Sequence, residues 1–165
     1  MTETVQLDAP DVVDVPELTD AEILQAKATA TIRKYAAVSA GLGFIPVPGL
    51  DVASISSVQY SMIRDLAEFY GISAGKDQVR VILASLLGGA APVMVTAAGL
   101  GSAVKAVPFV GTIAGMILIP SLAAASTLAI GRVFNQHFAS GGTLLSFDTE
   151  KMRDHFKAEF EAAKK

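Results

Sequence analysis

The stretch that most constrains this chain runs from Val81 to Gly131. It holds a single charged side chain, Lys105, between an uncharged arm from Val81 to Val104 and another from Ala106 to Gly131. A helix needs about 20 apolar residues to cross roughly 30 Å of hydrocarbon, and each arm has that length. A soluble hairpin needs a polar face, yet between Val81 and Val104 only Ser85, Thr96 and Ser102 offer one. The pattern therefore predicts a hairpin whose side chains are covered by lipid or by other helices.

The composition fits such a chain. Of its 165 residues 52% are hydrophobic, an ordinary share, but only 18% are charged, against about 25% in globular domains. Mean hydropathy is +0.48. A net charge of −3 argues against nucleic acid as a partner, because phosphate neutralisation requires clustered Lys and Arg. With no cysteine, disulfides, thiolate metal sites and a cysteine nucleophile are excluded.

Along the chain, residues 1–18 carry Glu3, Asp8, Asp11, Asp14 and Glu17 with no basic residue, and read as an acidic disordered tail. The helical domain is expected over 19–142 and a C-terminal amphipathic helix over 143–165. Thr19-Asp20-Ala21-Glu22 is a capping box, predicting a helix from Asp20 to about Leu42. Prolines and glycine then break it at Phe44-Ile45-Pro46-Val47-Pro48-Gly49. From Asp51, Val52, Ile55, Val58, Met62, Leu66 and Phe69 recur at helical spacing, and Gly71 is the expected stop. Gly71 to Asp77 superficially suggests a phosphate loop, but one residue is missing between the glycines and Asp77 follows the lysine, so no nucleotide site is read.

The second hairpin repeats the logic of the first. Its turn at Lys105-Ala106-Val107-Pro108-Phe109-Val110-Gly111 has proline and glycine three apart, as in Pro46 to Gly49. The expected turn residues are thus Pro46, Pro48, Gly49, Asp51, Pro108 and Gly111. Close helix packing is expected at Gly88, Gly89, Gly99, Gly101, Gly111 and Gly115, the last two forming a GxxxG pair. If both hairpins enter from one side, Arg33, Lys34, Arg64, Lys76, Arg80 and Arg132 all fall on that side, as the positive-inside rule expects of a cytoplasmic face. Lys105 is the exception, snorkelling at the far interface or marking a turn that does not cross. The first hairpin is too short to span, so a re-entrant, interfacial or packed arrangement is expected for it. Asp148 or Thr149 should cap a final helix with a stripe of Met152, Phe156, Phe160 and Ala163. His137 and His155 lie on separate elements and suggest neither a metal site nor a dyad.

Gly43-Phe44-Ile45-Pro46-Val47-Pro48-Gly49-Leu50-Asp51, the helix through Met62-Ile63-Arg64-Asp65-Leu66 to Tyr70-Gly71, and Val107-Pro108-Phe109-Val110-Gly111 resemble a bacterial family of unknown function, family 697. Its members are found C-terminal to GTPase domains and as small membrane-associated helical proteins. The resemblance spans about residues 25–140 and implies a membrane-associated module working beside a GTPase, here a separate partner because the chain has no GTPase domain. It supplies no catalytic residues and no cofactor.

The reading is an all-α protein of two tandem helical hairpins with Pro/Gly turns plus a C-terminal amphipathic helix. Its expected function is non-enzymatic: a membrane-associated protein that oligomerises or scaffolds at the cytoplasmic face of the inner membrane, both termini cytoplasmic. The alternative is a soluble all-α interaction module or homo-oligomer.

Overall fold

The computed structural model describes residues 18–43, 50–97 and 108–164. Five helices fill them: α1 (Asp20–Leu42), α2 (Leu50–Phe69), α3 (Lys76–Ala97), α4 (Pro108–Ala139) and α5 (Thr149–Ala163), with a 3₁₀ turn at Leu144–Ser146. There is no strand among the described residues, so the fold is all-α.

Local chemistry sets the helix ends. Thr19 accepts a hydrogen bond from the Glu22 backbone N–H, while the Glu22 carboxylate accepts from the Thr19 N–H at 2.8 Å. Those bonds to Thr19, its backbone N–H first, hold the Glu22 carboxyl below its ordinary range. At the other end of the first hairpin, Gly71 takes φ +67°, and the Ile72 N–H donates back to the Ala67 carbonyl at 2.8 Å, closing α2 in a Schellman motif. Gly141, at φ +82°, stops α4 the same way, with the Gly142 N–H donating to the His137 carbonyl. Asp148 caps α5 by accepting from the Glu150 and Lys151 N–H groups.

α1 to α4 run up and down. The pairs Tyr35–Asp65 and Lys27–Phe69 set α1 antiparallel to α2. Gln25–Asn135 and Ser39–Thr127 set α1 antiparallel to α4. The first hairpin therefore packs on the second, one of the three arrangements expected for it. α5 runs antiparallel alongside the last turns of α4, with Arg132 bonded to Glu159 and Gln136 to His155, and also packs against α3.

A continuous core joins all five helices, including Ile32, Met62, Leu66, Leu86, Phe134, Phe156 and Phe160. Of the predicted α2 face, Met62 and Leu66 are fully buried, but so are Ile63 and Ala67 beside them. The α5 stripe is buried as expected at Phe156 and Phe160, whose rings stack at 6.0 Å. Phe134 stacks on Phe147 at 4.5 Å and meets Phe138 edge-on. The large aromatics thus gather at the end beside which α5 packs.

Candidate functional site

The up-and-down topology sorts charge along the bundle. The start of α1, the end of α2, the start of α3 and the end of α4 meet at the end beside which α5 packs. Lys27, Arg33, Lys34, Arg64, Asp65, Glu68, Lys76, Asp77, Arg80 and Arg132 all lie towards this end. Beyond Lys34, Arg80 and Arg132 the described parts of α1, α3 and α4 carry no charge, and α2 before Arg64 carries only Asp51. The molecule has a charged pole and a nearly uncharged one.

Sequence neighbours and cross-helix contacts put the basic residues near one level. Ile32 abuts Gly131, which sets Arg33 beside Arg132, and both line one cavity. Arg64 pairs with Asp65 at 3.1 Å, and Asp65 accepts the Tyr35 hydroxyl at 2.6 Å, next to Lys34. Burial first, then this bond and the Asp65 charge, push the Tyr35 phenol up to about 12. Arg80 is four residues into α3 and Arg64 five from the end of α2, so at 1.5 Å per residue both stand about 6–8 Å from the α2–α3 turn. The result is a basic collar around the bundle where charge ends.

Within the bundle the interhelical contacts turn polar. Thr127 donates to Ser39 at 2.8 Å, both buried, and Gln59 donates to Ser126. Tyr70 donates to Asn135 at 2.7 Å, and Asn135 donates to Gln25. Such hydrogen bonds between helices fix register where apolar packing alone would let helices slide.

Among the described residues, two glycines outside the set singled out from sequence bring helices together. A Cβ on Gly131 would stand 2.7 Å from Ile32 Cγ2, and one on Gly43 would stand 2.9 Å from the Pro120 Cα. Gly131 and Gly43 let α1 and α4 close. The available signal was the i, i+4 spacing of small residues, Ser39 with Gly43 and Thr127 with Gly131, which face each other across this contact.

Of the predicted packing glycines, Gly88 is exposed on α3 with nothing within 4 Å of a Cβ. Within this chain it packs against no other helix among the described residues. Gly89 lies in α3, and Gly111 and Gly115 lie in α4. α4 begins at Pro108, a favoured first helical position, so Gly111 falls inside its first turn and not in the connection. Asp51 is the second residue of α2. Gly99, Gly101, Pro46, Pro48 and Gly49 lie outside the described residues, as does the acidic tail through residue 17.

His137 and His155 do come together, lining a cleft between α4 and α5 with Gln136, Ser140, Lys151 and Met152. The His137 ring bonds the Thr143 carbonyl and the His155 ring bonds Gln136. Each imidazole is tied to a local partner, and no group of three metal-binding side chains forms among the described residues.

Among the described residues no helix is long and apolar enough to cross a membrane. From sequence each uncharged arm has the length of a span; of the first arm the structure describes Val81 to Ala97, and residues 98–107 are not described.

Fold and charge together define a class: an all-α helical bundle whose described residues are charged towards one pole and, but for Asp51, uncharged towards the other. Residues 9–165 match the model of a family described as Domain of unknown function (DUF697), and the chain belongs to that family. It is 36% identical over 136 residues to Magnetosome membrane protein 22 of Magnetospirillum gryphiswaldense, an alignment covering 81% of this chain and 68% of the relative. No solved structure matches.

Proposed function

We propose that this protein is a non-enzymatic, membrane-associated helical scaffold. Its uncharged pole enters the lipid and its charged pole stands at the cytoplasmic face of a bacterial inner membrane. The observation that carries this reading is the separation of charge along the bundle, with six basic residues, Arg33, Lys34, Arg64, Lys76, Arg80 and Arg132, on the α5 side. A water-facing pole would carry charged side chains on its outer surface, whereas lipid excludes them. A positive flank then marks the cytoplasmic side. That a relative is named as a magnetosome membrane protein supports the membrane assignment.

Copies assemble through small-residue positions: Gly88 is open on α3, and Gly111 and Gly115, near the start of α4, carry the GxxxG spacing of such a contact.

Extraction of bacterial membranes with alkaline carbonate tests the assignment. The protein is expected in the pellet; recovery in the supernatant would replace lipid by sister copies as the cover of the uncharged pole. Gly111→Leu with Gly115→Leu is expected to reduce the size of the assembly in detergent, and an unchanged size would remove that contact.

A further inference from the structure

We infer that the cavity between α1 and α4 seats the phosphate of an anionic phospholipid headgroup. The inference rests on the membrane reading above and assigns that reading a specific lipid site.

The cavity, about 190 Å³, lies at the level of the basic collar. Arg33 and Arg132 line it from opposite helices, with Thr29 and Gln25 above and Ile32 and Leu128 as apolar walls. It is smaller than the roughly 300 Å³ at which sites for whole small molecules begin, so it suits a group the size of a phosphate. Arg33 and Arg132 bring two positive side chains to one cavity, a charge that an anion bound there would offset. Arg132 gives one N–H to Glu159 at 3.0 Å, which leaves most of its five donors for a ligand and offsets part of its charge. Arg33 is exposed and has no carboxylate partner among the described residues. Guanidinium forks match phosphate oxygens in a way that an ammonium does not.

What surrounds the cavity selects a lipid over a free anion. On α1 the positions Gln25, Thr29, Arg33, Ala37 and Gly41 succeed one another at i, i+4 and are all exposed. Polar groups occupy the stretch above Arg33, and small uncharged residues the stretch below. α4 contributes Leu128 and Ala124 to the same side, both partly exposed. A headgroup held by Arg33 and Arg132 would therefore lay its acyl chain along a shallow groove pointing towards the uncharged pole. Inorganic phosphate would leave that groove empty.

The test is flotation of the purified full chain with vesicles of phosphatidylcholine, and of phosphatidylcholine containing a minority of phosphatidylglycerol, at matched ionic strength. The wild type is expected to float with both and to prefer the anionic vesicles. Arg33→Gln, checked for unchanged helicity by circular dichroism, should lower binding to the anionic vesicles about fivefold while leaving phosphatidylcholine flotation unchanged. Arg33→Lys, which keeps the charge but not the fork, should fall between them. Full retention of the preference by Arg33→Gln would overturn the site. Loss of the preference when inorganic phosphate replaces chloride would show a free-anion site and overturn the lipid. Equal flotation of the wild type on both vesicles would overturn the site alone, whereas flotation on neither would remove the membrane reading as well.

Discussion

α5 and α4 are both helices of one small bundle, yet they treat their outer surfaces in opposite ways. α5 places Glu150, Lys151, Arg153, Asp154, Lys157, Glu159 and Glu161 in fifteen residues while burying Phe156 and Phe160. α4 is more than twice as long and has only Arg132. The same chain thus shows how it builds a helix against water, and α4 is not built that way. α4 also runs about 18 Å further than α1 at the uncharged pole, since Gly43, at the end of α1, abuts Pro120, twelve residues into α4. The contrast teaches that core packing and surface charge are concentrated at one end of the molecule. The end beside α5 holds the aromatic core, and towards the other the described exposed residues, Ala37, Gly41, Ala84 and Gly88 among them, are uncharged.

If that division is right, the costliest substitutions lie under α5. Phe156→Ala should cost about 3–5 kcal/mol, read as a fall in the unfolding midpoint in detergent. A loss below about 1 kcal/mol would mean that α5 is an appendage and would break the comparison. Next comes the α1–α4 contact. Gly131→Ala should cost about 1–3 kcal/mol because its Cβ meets buried Ile32, whereas Gly88→Ala, open on α3, should stabilise by about 0.5–1 kcal/mol. Paired thermal melts check both, and equal effects would refute the difference drawn between the two glycines.

A smaller effect is expected from Tyr35. Its folded-state pKa is raised to about 12 from an ordinary 10, so its contribution is complete below pH 10 and lost as pH climbs towards 12. Tyr35→Phe should flatten the decline of stability across that window without changing stability's course below it. An identical decline in the variant would remove the Tyr35–Asp65 contact from the account.

Helix ends were legible in the sequence because they are set locally. Thr19 with Glu22, Gly71 and Asp148 each act within five residues, and each stands where expected. Pairings between helices were not legible. Tyr35–Asp65 spans 30 residues and Gln25–Asn135 spans 110, and no periodicity says which helix a stripe will meet. The same gap hid the shared cleft of His137 and His155 and the convergence of Arg33 with Arg132. Glycine density pointed to Gly88, but density does not distinguish a glycine that admits a neighbouring helix, such as Gly131, from one that is open, such as Gly88.

The chain has no cysteine, so single cysteines report position cleanly. Gly88→Cys on α3 and Ala158→Cys on α5 are both exposed sites on the isolated chain. Treated with a membrane-impermeant maleimide in inverted inner-membrane vesicles, the cysteine at 158 is predicted to label and the one at 88 to stay protected until detergent is added. Equal labelling of both before detergent would contradict a buried uncharged pole.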